Sequence, residues 1–217
     1  MPGPRTAAPA SVNATDSRSN VSSVPSEPGL RERKKAETRE ALVRAAFDLF
    51  TRDGFDTVTV DDIAERAAVS RSTFFRYFPS KEAVVFPFQP SRVERFNQLL
   101  VEPVPGEPAF ETVRRACFRI ADEFTENRDL AVIQHHIVQS SPVLIARERD
   151  IYSGWEVASA QFLLRSGVEA WRARITAAAI FAALRSTAYF WLSEGGEGDL
   201  QALGERSFAI LREGIAV

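Results

Sequence analysis

The 217-residue chain has a single cysteine, Cys117. One thiol cannot form an intrachain disulfide, and no cysteine-rich metal site can be built, which favours a reducing compartment. No stretch of about 18 apolar residues runs free of charge, so no membrane span is expected. The amino terminus lacks the apolar core of a secretion signal. An excess of one charge is also missing. The net charge is −2 and the pI is near 5.8, so the total does not announce a nucleic-acid binder. Alternation with period two is absent outside residues 57–60, which argues against β structure. There is no nucleophile–base pair, no glycine-rich phosphate loop and no metal-ligand spacing. An enzyme therefore has little support, and neither a cofactor nor a metal is expected.

What remains is helical periodicity over nearly the whole chain. Residues 1–30 are rich in Pro, Ser, Ala and Asn and carry almost no large apolar groups, so a disordered tail is expected there. The basic cluster 31–35, with Arg33 at its centre, leads into a helix expected from about Ala36 to Arg52. It is either a solvated helix start or an arm that touches phosphates. Gly54 stops that helix. Two short helices follow over residues 59–82. Thr59 and Asp62 have the spacing of a capping box, and Ser70 is placed to cap the second helix. From Ser70 the chain carries Arg71, Arg76 and Lys81 with no acid until Glu82. Two short helices, the second basic and rich in hydroxyls at its start, form a helix-turn-helix pattern able to enter a major groove. Residues 31–86 hold eleven basic and ten acidic residues. The basicity is thus an edge, and affinity should rest on a few placed phosphate contacts.

The fold class is all-α: a three-helix helix-turn-helix domain over 31–86, then a helical domain over 87–217 for ligand binding and dimerisation. Pro87 and Pro90 interrupt the chain at the junction, a candidate hinge. A long helix over about 169–193 is apolar on most sides and must be covered on most sides. Ile175, Ala178, Ala182 and Tyr189, with Leu203 and Ile210 of the last helix, are candidates for a two-fold interface. The alternative is that both helices complete a monomer core. Phe124, Tyr152, Trp155 and Phe162 are core or line a ligand cavity. His135 and His136 are adjacent on a helix and point about 100° apart, which disfavours a shared metal. His136 is carried with the four aromatics as the candidate ligand set.

The motif Ala45-Ala46-x-x-Leu49-Phe50, Gly54-Phe55, Thr57-x-Thr59-Val60-x-x-Ile63-Ala64, Ala67-x-Val69-Ser70-x-x-Thr73-Phe74-Phe75-x-Tyr77-Phe78, Lys81-Glu82 resembles the TetR family of bacterial transcriptional regulators. The wording of residues 73–82 is similar to a subgroup said to bind acyl-CoA-like ligands, including regulators of the mycofactocin type. The resemblance implies a cytoplasmic homodimer on a palindromic operator in double-stranded DNA. Such a regulator is usually a repressor released by a small molecule, here acyl-CoA-like or otherwise hydrophobic. It implies base-edge or phosphate contacts by Arg71 and Ser72, and phosphate contacts by Thr59, Thr73, Tyr77 and Lys81. Two positions depart from the pattern. Ala68 stands where glycine is common in the turn. Phe75 lacks the tyrosine hydroxyl and is either core or a contact to sugar or a thymine methyl. Ligand binding is expected to shift residues from Lys81 to about Leu100 and so alter the spacing of two recognition helices. A constitutive regulator whose cavity is filled by side chains, and a helical protein-contact module, are the rival readings. A cavity of a few hundred Å3 separates the ligand-responsive reading from the constitutive one, and salt-dependent binding to a palindrome excludes the protein-contact module.

Overall fold

Backbone hydrogen-bonding groups at helix ends need partners, and the side chains that supply them set most element boundaries here. The computed structural model describes Gly3, residues 29–102 and residues 104–213. The expected disordered tail falls mostly outside these residues. The described residues contain ten helices and no strand, an all-α fold. They are α1 (Leu30–Asp53), α2 (Val60–Arg66), α3 (Arg71–Tyr77), α4 (Lys81–Val85) and α5 (Gln89–Val101). Then come α6 (Ala109–Glu126), α7 (Arg128–Gln139), α8 (Pro142–Arg165), α9 (Ala170–Ser193) and α10 (Leu200–Glu213).

α1 begins six residues before the expected start at Ala36, so the 31–35 cluster is helical and exposed. Arg, Glu, Lys and Ala are strong helix formers, and propensity extends the helix where no apolar stripe signals it. Ser80 accepts a bond from the Ala83 N–H at 3.3 Å and starts α4. Phe86, Pro87 and Phe88 break the chain between α4 and α5, and Pro90 sits in the first turn of α5, where a missing donor costs nothing. Asp199 caps α10 through the Ala202 N–H at 3.1 Å.

Between α2 and α3 the chain turns through a Schellman motif. The Val69 N–H reaches the Ala64 carbonyl at 2.9 Å, and the Ala68 N–H reaches the Glu65 carbonyl at 3.0 Å. Ala68 holds the left-handed position at φ 54°. The departure from glycine therefore carries strain of about 1 kcal/mol.

Three apolar clusters form the interior. The first joins Leu42, Phe50, Ile63, Phe74 and Phe78 of the amino-terminal unit to Ile137, Val138 and Leu144 of α7 and α8. The helix-turn-helix unit therefore shares its core with the helices behind it. The second cluster joins α5, α6, α8, α9 and α10 around Phe96, Trp155, Phe181 and Phe208. A third, smaller one holds Trp191, Leu192 and Leu200 with Ala131. By length and composition α9 is apolar enough to cross a membrane, contrary to the expectation that no such segment exists. Arg172, Arg174 and Arg185 interrupt it, and it packs along α8 and α10, with Ala173, Ala177, Ile180 and Phe181 buried.

Candidate nucleic-acid interface and core cavity

α2 and α3 are short, and both depend on their caps. Thr59 Oγ1 accepts from the Asp62 N–H at 3.2 Å, while the Asp62 carboxylate accepts from the Thr59 N–H at 2.8 Å and from its hydroxyl at 2.6 Å. These bonds hold the Asp62 carboxyl below its ordinary range. Ser70 Oγ accepts from the Thr73 N–H at 3.1 Å and lies 2.9 Å from both the Ser72 and Thr73 hydroxyls. The start of α3 is thus a hydroxyl cluster.

α3 divides cleanly into two faces. Phe74 and Phe78 are buried against the first core cluster. Arg71, Ser72, Phe75 and Arg76 are exposed, with Thr73 and Tyr77 half-buried between. Phe75 is 43% exposed with its ring edge-on to Phe74, so it is not a core residue. Arg71 lies 5.4 Å over the Phe75 ring and reaches Asp61 of α2 at 2.5 Å, a fully solvated pair worth little energetically. Arg76 lies 5.5 Å from the Tyr77 ring centre. Lys81 does something the sequence did not indicate. Its ammonium donates to the Phe55 carbonyl at 2.7 Å and the Val58 carbonyl at 2.9 Å, tying the α1–α2 loop to α4. One N–H remains for any other contact. Arg33 is exposed in the first turns of α1, on a helix and not on an extended arm.

Behind this unit the second and third core clusters line a partly open apolar cavity of about 70 Å3. Phe96, Phe118, Phe124, Trp155, Phe181 and Trp191 are among its walls. A second chamber of about 40 Å3 shares Phe124, Tyr152, Trp155 and Leu192 with it. Its other walls are Phe86, Gln89, Arg92, Gln134, His135, Glu148 and Tyr189, which are polar or face the α4–α5 break, with apolar Ala131 and Ile151. Both volumes fall below the few hundred Å3 common for ligand sites.

The polar chamber is closely wired. Arg92 is buried, its Nε donates to Glu123 at 3.1 Å, and its guanidinium lies 3.9 Å from the centre of the Phe124 ring. Tyr189 donates to Glu148 at 3.2 Å and accepts from Gln139. Burial pushes the Glu148 carboxyl up, and burial with the neighbouring His136 pushes the His135 imidazole down. Gln134 donates to the Val85 carbonyl at 2.5 Å, and Arg39 of α1 donates to the Pro87 carbonyl. The hinge is therefore held from both sides, by Gln134 of the chamber wall and by Arg39 of α1.

Of the candidate ligand set, Phe124, Tyr152 and Trp155 line both chambers. His136 does not: it is exposed, and its neighbour His135 is the buried one. Adjacent helical residues point apart, and His135 shares its phase with buried Ala131 and Val138, a signal the sequence does contain. Phe162 is half-buried in the second cluster and lines neither chamber. Arg92 was overlooked, although it falls in phase with Phe96 and Leu99 on the buried face of α5. Among the interface candidates, Ile175 and Ile210 are 59% and 55% exposed, Ala182 is exposed and Ala178 half-buried. Tyr189 and Leu203 turn inward, the first to the polar chamber and the second to the third cluster.

The family model for bacterial regulatory proteins of the tetR family matches residues 42–86, the span from mid-α1 through the end of α4. The chain is 35% identical over 130 residues to the HTH-type transcriptional regulator TcmR of Streptomyces glaucescens, which covers 57% of this chain and 58% of TcmR. It is 28% identical over 137 residues to MftR of Mycobacterium tuberculosis, described as a mycofactocin biosynthesis transcriptional regulator, covering 61% of this chain and 67% of MftR. The match thus spans under two thirds of TcmR's length. Among solved structures, the Thermus thermophilus FadR repressor in complex with lauroyl-CoA superposes with a TM-score of 0.54 at 26% identity, covering 82% of this chain and 95% of that one. Residues 42–86, which hold the capped helix-turn-helix unit, thus match the model for bacterial regulatory proteins of the tetR family, and the all-helical body behind them is similar in fold to a solved TetR-family repressor.

Proposed function

We propose that the chain is a dimeric DNA-binding transcriptional regulator, a repressor released from a palindromic operator by a small hydrophobic molecule. The observation that carries this reading is α3. Its outer face presents two arginines, a hydroxyl cluster and an exposed aromatic, while Phe74 and Phe78 hold the helix to its scaffold. Thr59, Arg71, Ser72, Thr73, Phe75, Arg76 and Tyr77 form the DNA face, with Arg33 and the last N–H of Lys81 at its margin. A homodimer through the exposed apolar residues of α9 and α10, Ile175, Ala182 and Ile210, sets two such faces apart by about 34 Å. Exposed Trp171 and Phe190 extend the same helix surface. Such a regulator works in the cytoplasm, where its DNA is.

The effector acts through the chambers behind the hinge. Filling the polar chamber displaces Phe86, Gln89 or Gln134 and so moves the segment from Lys81 to Leu100, to which both recognition helices are attached. The chambers are small, so the aromatic walls must rotate to admit a ligand of more than a few atoms. The fully packed alternative, a regulator without effector, predicts that no small molecule changes DNA affinity.

Replacing Arg71 and Tyr77 together by Ala tests the assignment of α3. On duplexes selected from a random pool with the full chain, the double variant should lose the mobility shift, with sedimentation and helical signal unchanged. Equal shifts by both proteins sink the reading.

A further inference from the structure

Both chambers carry unused bonding capacity that narrows the effector's chemistry. We infer that the site takes a flat hydroxylated aromatic compound, uncharged at neutral pH, and not a phosphate-bearing acyl thioester. This rests on the effector-responsive reading above and names the ligand class of that site.

The apolar walls are rings. Phe96 and Trp155 lie 6.1 Å apart, Phe96 and Phe181 6.1 Å, and Tyr152 and Trp155 5.7 Å, in tilted or edge-on pairs. Such walls accept another ring in offset or edge contact. Among the described residues three buried polar atoms have no partner: His135 Nδ1 and Trp155 Nε1, whose residues line the chambers, and Ser159 Oγ, whose residue lines neither. Their residues are 6%, 7% and 0% exposed. Native interiors rarely leave such groups unsatisfied, and an orphan at a cavity wall points to a ligand. The indole N–H only donates, so the ligand must bring an acceptor. Burial, with the neighbouring His136, pushes the His135 imidazole down, which favours its neutral form. A hydroxyl serves both, because its oxygen accepts from Trp155 while its hydrogen is free for an imidazole nitrogen. A methyl ether serves the indole alone, and a hydrocarbon serves neither.

Charge excludes the phosphate-bearing class. Among the described residues, Arg92 is the one lysine or arginine lining either chamber, and Glu123 already neutralises it. Glu148 faces the same chamber. The arginines of the neighbouring α6 surface are also taken: Arg114 by Glu111 and Glu205, Arg115 by Glu107, and Arg119 by Asp122. Within the chambers themselves a polyanionic phosphate would meet no uncompensated positive charge; Arg185, close enough to act on Glu148 and Tyr152, lies outside both linings. Phe124, Tyr152, Trp155 and Leu192 separate the chambers. Rotation of half-buried Phe124 would join them into one slot with an apolar floor and a polar end.

The test is calorimetric titration of the full chain with 2-naphthol, 2-methoxynaphthalene, naphthalene and lauroyl-CoA. The naphthol should bind about tenfold or more tightly than naphthalene, the scale of one or two buried hydrogen bonds, with the ether between them. Lauroyl-CoA should give no saturable heat. Trp155→Phe keeps the ring, removes the N–H and should shrink the naphthol–naphthalene gap to below about threefold. His135→Phe should lower the naphthol to the level of the ether. If Trp155→Phe fails to fold, Ala121→Leu, at the apolar wall, should abolish binding of all three naphthalenes. Equal affinities for naphthol and naphthalene, no binding of any of the three, or saturable binding of lauroyl-CoA overturns the inference. The titration contains no DNA, so the two readings fail separately. A chain that shifts DNA but ignores the naphthol loses the ligand class alone. A chain that binds the naphthol but no DNA loses the regulator reading alone.

Discussion

Ala68 and His135 show how single residues carry local cost. Ala68 sits at φ 54°, where glycine is unstrained. Glycine also adds freedom to the unfolded chain, which offsets part of the gain. Ala68→Gly is therefore expected to stabilise by about 0.5 kcal/mol, read as a higher denaturant midpoint with unchanged slope; a lower midpoint contradicts the strain. His135 has its pKa lowered, so its folded form resists protonation. Its contribution is fully present above the ordinary value near 6.5 and is lost as pH falls towards the folded pKa. Glu148 shifts upward and works the other way, losing stability as pH rises through its folded pKa. Arg92 and Tyr189 also line the chamber, and exposed His136 adjoins His135. Removing the histidine with His135→Asn should flatten the fall in stability between pH 7 and 5. An identical pH profile in the variant would show that another group titrates.

At the scale of elements, legibility followed locality. The caps at Thr59 and Ser70 are set by residues within three positions, and the structure has both of them. The break at Pro87 was readable because proline removes a donor wherever it stands. The start of α1 was not readable, because its first turns are exposed and carry no apolar stripe. Lys81 was not readable either, since the carbonyls it ties come from residues 55 and 58. The choice between His135 and His136 was readable from phase, since His135 falls with Ala131 and Val138 on the face of α7 that meets α9. The α4–α5 break is held by Gln134 and Arg39 through backbone carbonyls. Gln134→Leu removes one of these bonds, worth about 1 kcal/mol. Amide exchange at residues 86–89 should then quicken by roughly fivefold, with α1 and α3 unchanged. Unchanged exchange there would mean that α7 does not hold the hinge.

The whole molecule joins one core to two tasks. The first apolar cluster runs from the helix-turn-helix unit into α7 and α8, so packed side chains and not a loose linker join α3 to those helices. On the proposed reading, the exposed apolar residues of α9 and α10, Ile175 and Ile210 among them, are the surface a second copy would cover. In this account the carboxy-terminal helices set the distance between two copies of α3. The most direct measurement is binding to palindromes whose identical half-sites are moved apart one base pair at a time, with stoichiometry read by sedimentation. Two chains per duplex and a sharp affinity optimum near one helical turn between half-site centres, about 10 base pairs, are predicted. One chain per duplex, or affinity that does not depend on spacing, contradicts the account.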